Sequence, residues 1–209
     1  MRRPAVAMAC ALAVVALLDA CTLRREEPAP AVDWDARRTR LLSLDAWLAR
    51  GRIAVKADAG SGQGDLRWEQ HGASARIRVS GPFGAGAYDI RWDPARLSVS
   101  SRNGEFSRDY TGPDAAGQFL AEQLGWAFPA GSVRYWLLGL SDPQFPAGET
   151  RASGGQPELI EQNGWTIRFE AFEDQSGTPM PRRLTLASDA ARVRLIVDHW
   201  CLEAHCLAR

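Results

Sequence analysis

The sequence predicts a mainly β domain in which one antiparallel sheet curls around an apolar interior, with helices set into the curl. Three observations carry this reading. Much of the chain from Ile53 to Asp198 alternates apolar and polar side chains with period two. The turns between the alternating runs are short and rich in Gly, Asn and Asp. Three further segments switch to helical spacing. Alternation gives each strand one apolar and one wet face. Short turns join antiparallel neighbours, and a sheet of many such strands buries its apolar face by curling.

Taken in order, Trp34 to Leu48 opens the domain with Trp34, Leu41, Leu44 and Leu48 at helical spacing, so a helix is expected there. Ile53, Val55 and Ala57 then alternate with Ala54 and Lys56, Leu66 and Trp68 with Arg67 and Glu69, and Ile77 and Val79 with Arg76, Arg78 and Ser80. Tyr88, Ile90 and Trp92 alternate with Asp89 and Arg91, and Leu97 and Val99 with Ser98 and Ser100. Gly60-Ser61-Gly62, Gln70-His71-Gly72, Asp93-Pro94 and Arg102-Asn103-Gly104 punctuate these runs as turns. A second helix is expected over Asp114 to Leu124, with Ala116, Phe119, Leu120 and Leu124 on one face, Pro113 near its start and Gly125 at its stop. A third is expected over Ser132 to Leu140, carrying Val133, Trp136, Leu137 and Leu140, with Ser132 as N-cap. Strands resume with Trp165, Ile167 and Phe169, then Leu184 and Leu186, then Val193, Leu195 and Val197. Arg78, Arg91, Arg168 and Arg194 fall on the wet face, where charge opposes edge-to-edge aggregation. The helices either plug the sheet as ordinary core or cover a hollow. Composition does not separate the two, and eight tryptophans give a wide apolar interior in both.

Ahead of this body stand Arg2 and Arg3, an apolar run from Ala5 to Leu18, and Leu18-Asp19-Ala20-Cys21. A basic start and a short apolar run form a secretory signal, too short for the roughly 20 apolar residues that span a bilayer. Leu three residues before Cys, with a small residue between them at the cut, resembles a lipobox. Residues 1–20 are then a lipoprotein signal peptide and Cys21 the lipidated first residue of the mature chain. Asp19 departs from the pattern, and the other reading is an ordinary signal with an unrelated Cys. Thr22, where an Asp commonly retains lipoproteins in the inner membrane, favours the outer one. Residues 21–33, with Pro28 and Pro30, read as a tether, residues 34–200 as the folded domain and residues 201–209 as a tail. Several acyl chains on one Cys anchor a protein durably.

The mature chain of roughly 190 residues suits one domain with a substantial core. The full chain's 25 basic and 25 acidic residues balance, and Lys56 is the only lysine, so nothing points to nucleic acid. No Walker loop, dinucleotide fingerprint, zinc-protease helix or nucleophile elbow occurs. The three histidines His71, His199 and His205 belong to no catalytic motif. A binder or carrier without cofactor, metal or catalytic residue is expected, in preference to an enzyme. Cys201 and Cys206 lie close together in an oxidising compartment and are candidates for a disulfide. The rival reading is a metal site with His199 and His205.

The order of landmarks resembles the LolB family of outer-membrane lipoprotein receptors. They are WLARGRIAV over Trp47–Val55, Gln63-Gly64, Trp68, GPFG over Gly81–Gly84, Gly125-Trp126, YWLLGL over Tyr135–Leu140, Asn163-Gly164-Trp165, Met180-Pro181, and Leu195-Ile196-Val197-Asp198-His199-Trp200. The match spans Trp34 to Trp200. The resemblance implies an incomplete, curved antiparallel β-barrel of about eleven strands with a helical plug or lid over an apolar cavity. It also implies a monomer at the outer membrane, facing the periplasm, and a soluble periplasmic partner, the carrier LolA. From that carrier it would receive acylated lipoproteins for incorporation into the membrane. A structural accessory lipoprotein that binds protein and no lipid is the competing class, and it would have a filled interior.

Strand parity and helix faces nominate an acyl-chain cavity lined by Trp68, Ile77, Ile90, Trp92, Leu120, Leu124, Trp136, Leu137, Trp165 and Phe169. Plain core packing is the alternative for each. Phe83, between Pro82 and Gly84, sits at an apparent loop tip, where an exposed aromatic is costly unless used. By resemblance the matching residue is an apolar one, commonly Leu, that aids membrane insertion. Here Phe keeps the apolar character, and folding back onto the core is its other reading.

Overall fold

The computed structural model describes residues 32–58, 60–81, 86–113, 115–124 and 129–203, the side chains of Leu120, Gln123 and Leu124 excepted. The signal segment, Cys21, nearly all of the tether, the Pro82-Phe83-Gly84 loop and Cys206 lie outside these residues. Helix α1 (Trp34–Leu42) precedes strands β1 (Ala46–Ala57), β2 (Gly60–His71), β3 (Ser74–Ser80), β4 (Tyr88–Asp93), β5 (Arg96–Ser101) and β6 (Ser107–Thr111). Helices α2 (Ala115–Leu124) and α3 (Ala130–Leu137) follow. Strands β7 (Gly148–Arg151), β8 (Pro157–Gln162), β9 (Trp165–Gln175), β10 (Thr178–Ala187) and β11 (Ala191–Cys201) complete the domain.

All eleven strands form one sheet in the order β6-β5-β4-β3-β2-β1-β11-β10-β9-β8-β7. Every neighbouring pair is antiparallel. Two meanders thus meet where β1 pairs with β11, and β6 and β7 are left as opposite edges. The sheet does not close. The chain passes from one edge to the other through α2 and α3, so these helices necessarily cross the sheet, and they do so on its apolar face.

Gly51 makes the central seam possible. At a bulge between Arg50 and Gly51 the pairing of β1 with β11 slips by one residue. A Cβ on Gly51 would stand 1.9 Å from the carbonyl oxygen of Ile196. Only a residue without a side chain fits a backbone approach of that kind. The seam is also the aromatic centre of the core. Trp47 stacks on Trp68 at 6.1 Å and meets Trp200 at 5.6 Å, and the Trp200 indole donates to the Pro181 carbonyl at 2.9 Å.

The strand parity agrees with the sequence reading. Trp165, Ile167 and Phe169 are buried along β9, as are Val193, Leu195 and Val197 along β11. The helices depart from it at their ends. The first was expected to run to Leu48, but α1 stops at Leu42. Ser43 turns its hydroxyl and amide back onto Arg40, and from Ala46 the backbone pairs with β2 instead. Leu44 and Leu48 are therefore not helical. The cap of α1 is Asp33, whose carboxylate accepts the amides of Asp35 and Ala36 at 3.1 and 2.9 Å. Ser132, expected as N-cap of the third helix, lies inside α3, which begins at Ala130. Its hydroxyl instead donates to Asp142 at 2.7 Å.

The end of α3 explains the YWLLGL run. Gly139 takes φ +76°, its amide bonds Trp136, and the Leu140 amide reaches back to Tyr135. That paired closure of a helix requires a left-handed residue, which Gly supplies without strain.

Candidate functional site: a dry hollow under the helices

The site is assembled from one face of the sheet and one face of each of α2 and α3. In β1 to β5 the inward residues Ile53, Leu66, Trp68, Ile77, Val79, Ile90, Trp92 and Leu97 wall a space, which Leu186, Val193 and Leu195 bound from β10 and β11. Ala116 and Phe119 of α2 and Ala130, Val133 and Leu137 of α3 roof it. The hollow measures about 170 Å³. Every described residue around it is apolar, and the Trp68 indole is turned to Gln70, whose amide donates to the Gly72 carbonyl. An apolar wall of this kind offers a ligand chiefly non-directional contact.

Roof and floor are fastened unequally. Trp136 of α3 is 0% exposed and donates to Gln162 at 2.8 Å. Gln162 also accepts the Asp142 amide and donates to the carbonyls of Asp142 and Phe145. That buried amide is fully paired, so α3 is pinned to β8 through a satisfied polar network. A second clasp comes from α1. Arg37, 4% exposed, donates to the carbonyls of Leu138 and Pro179 at 2.7 and 2.6 Å. It lies against the rings of Trp34 and Phe172. Burial, with the charge of Arg40 adding to it, pushes its guanidinium down from 12.5 to about 10, so it remains charged at neutral pH. By contrast α2 packs chiefly on β5 and β6. It does so through a small cluster around Leu97, Val99, Ala115 and Ala116, with Phe119 edge-on to Tyr110 at 5.6 Å and Tyr110 donating to Glu122 at 2.7 Å.

Of the nominated lining residues, Trp68, Ile77, Ile90, Trp92 and Leu137 wall the hollow. Trp136, Trp165 and Phe169 are not among its walls: they are buried in the main core, Phe169 against Phe172. The side chains of Leu120 and Leu124 are outside the described residues. Ile53, Leu66, Val79, Leu97, Leu186, Val193 and Leu195 were not nominated, although they share the strand parity that nominated Trp68 and Ile77. Cys201 is held in a disulfide. Among the described residues no three His, Cys, Asp or Glu side chains gather to hold a metal, and no helix is long and apolar enough to cross a membrane. A second depression, on the wet face, is walled by Arg67, Glu69, Arg76 and Arg78. Its charged walls offer nothing to an apolar ligand.

An open antiparallel sheet with helices in its curl and a dry hollow between them defines the class: an incomplete-barrel protein built around an apolar cavity. A LolA-superfamily protein from Nitrosomonas europaea has this fold, with a TM-score of 0.51 at 12% identity over 83% of this chain and 94% of that one. The family model described as outer membrane lipoprotein LolB matches residues 45–200, and the chain belongs to that family. The outer-membrane lipoprotein LolB of Chromohalobacter salexigens is 31% identical over 91% of this chain and 88% of its own. That of Nitrosococcus oceani is 30% identical over 89% and 92%. The protein is thus an outer-membrane lipoprotein acting in lipoprotein localisation.

Proposed function

We propose that the protein accepts acylated lipoproteins from a soluble periplasmic carrier of the LolA type, holds their acyl chains in the hollow, and releases them into the outer membrane. The observation that carries this reading is the hollow itself, dry and walled only by apolar side chains. At roughly 0.8 kcal/mol per buried methylene, exposing three acyl chains to water costs tens of kcal/mol. A relay of apolar cavities avoids that cost. No nucleotide motif is present, so transfer runs downhill, and this hollow binds chains more tightly than the carrier and less tightly than the bilayer.

Size decides how the hollow works. A cavity of about 150 Å³ accepts one benzene ring, so the space of about 170 Å³ admits only part of one chain. Loading therefore requires the roof to move. The weakly anchored α2 is the element that yields, while α3 stays in the core. Phe83, in the connection between β3 and β4, is the residue proposed to enter the bilayer interface during delivery. Cys21 is the proposed anchor. An accessory protein without lipid transfer would have a filled interior, and the hollow does not favour it.

The test is transfer of one acylated lipoprotein from its purified carrier to this protein and on to liposomes. Passage through a complex with this chain supports the reading, and deposition that proceeds equally without it rejects the reading.

A further inference from the structure

We propose that a polar chamber beside the hollow receives the polar linkage of an acylated peptide, the ester and amide groups where the chains join its first residue. This inference rests on the acyl-chain reading above. The two spaces are neighbours, with Trp92, Ala116 and Ala130 in the walls of both. The chamber is the larger, about 630 Å³. It opens between the start of α3, the segment that follows α3, and the turns β2–β3 and β8–β9. Unlike the hollow, it carries polar side chains: Ser132, Arg134, Asp142, Gln144 and Asn163. An acylated peptide has the same division, with hydrocarbon on one side and a short run of carbonyls and amides on the other.

Arg134 is the group that the fold leaves least satisfied. One of its terminal nitrogens donates to the Gly72 carbonyl at 3.0 Å and the other to the Tyr135 hydroxyl at 2.6 Å. Its Nε–H is buried and makes no hydrogen bond. An unpaired buried donor is rare and calls for a reason. Both hydrogen-bond partners are neutral and the guanidinium also lies over the Tyr135 ring at 4.5 Å, so a ligand carbonyl that reaches Nε gains a donor the fold leaves unused. On the opposite wall Asp142 is already engaged by the Ser132 hydroxyl and the Gln144 amide, and Asn163 is tied to Ser132 at 3.0 Å. Among the described residues the chamber therefore holds one cation and one carboxylate. That balance suits an uncharged linkage rich in carbonyls and disfavours a phosphate, which would sit against Asp142.

The test uses the full mature chain and displacement of an environment-sensitive fluorescent fatty acid by three lipids with the same two chains: a dipalmitoylglyceryl-cysteinyl tetrapeptide, dipalmitoylglycerol and dipalmitoylphosphatidylglycerol. Arg134→Gln is expected to weaken the lipopeptide roughly ten-fold, and Gln144→Leu, whose side chain lies at the rim, roughly five-fold. Dipalmitoylglycerol should stay within about two-fold for both variants. The chamber is rejected if the lipopeptide is unaffected, if both ligands fall together, or if the unaltered chain prefers the phospholipid to the lipopeptide. Should none of the three lipids displace the probe from the unaltered chain, the acyl-chain reading itself fails.

Discussion

Replacing Ala116 by Phe pushes a ring into the hollow from the α2 side. Ala116 is 7% exposed and walls the space directly. An unfilled cavity destabilises a protein by about 24 cal/mol per Å³, so filling all of the roughly 170 Å³ is worth on the order of 4 kcal/mol at most. A phenyl group fills about half of it, and the loss of helix propensity returns about 0.5 kcal/mol. The expected net gain is therefore about 1–2 kcal/mol, read as a rise of roughly 2–8 °C in melting temperature for a domain of this size. Uptake of a fluorescent acyl probe by the same variant should fall sharply, because the ring stands where the chain would. Stability and binding would thus move in opposite directions. Were the interior solidly packed, the extra ring would instead cost about 1–3 kcal/mol. A destabilised variant with unchanged uptake refutes the reasoning.

Arg37→Met removes the donor to the Leu138 and Pro179 carbonyls and should cost about 2–3 kcal/mol in denaturant unfolding; an unchanged midpoint would show that the clasp contributes nothing. Gln162→Leu orphans the Trp136 indole and the Asp142 amide, with an expected loss of about 3 kcal/mol and a loosened α3, seen as faster amide exchange along that helix. Glu149 feels burial, which raises its pKa, but bonds from Ser141 and Arg151 and the charges of Arg38 and Arg151 outweigh this and hold it below the usual 4.5. Its contribution is complete above that value and fades as pH falls through the lower folded value. Melting curves between about pH 3 and 6 should therefore be flatter for Glu149→Gln than for the unaltered chain, and parallel curves contradict the assignment. Phe83→Glu should still take cargo from the carrier yet fail to deposit it in liposomes, and normal deposition would remove Phe83 from the insertion step.

How much was legible from sequence follows from which interactions are local. Period-two parity in Ile77, Val79, Val193 and Leu195 identified the apolar face, because alternation is written residue by residue. The turns at Asp93-Pro94 and Arg102-Asn103-Gly104 also read correctly, whereas Gly60-Ser61-Gly62, expected as a turn, opens β2 and pairs with β1. The edge strands β6 and β7 and the neighbouring β8 did not read from sequence, since SRDYT, GETR and PELIEQ carry little alternation and owe their pairing to neighbours. The end of α1 was missed because Leu44 and Leu48 fit a helical stripe, whereas pairing of Ala46 onward with β2 decides their conformation. Separating hollow from core lay beyond parity altogether. Trp136, Trp165 and Phe169 share one core cluster with Trp68, and only the three-dimensional packing decides which of them border the hollow. Ser132 was assigned by its residue type as a cap, but its partner Asp142 is ten residues away, beyond the end of the helix.

The most direct test is a lipoprotein carrying a photoreactive group near the end of one acyl chain, loaded onto the protein and irradiated, with the crosslinked residues mapped by mass spectrometry. An acyl chain seated in the hollow gives adducts on residues such as Ile77, Trp92, Phe119 and Val133, and these disappear in Ala116→Phe. Adducts confined to the wet face or the sheet edges, or the same adducts in Ala116→Phe, would contradict it.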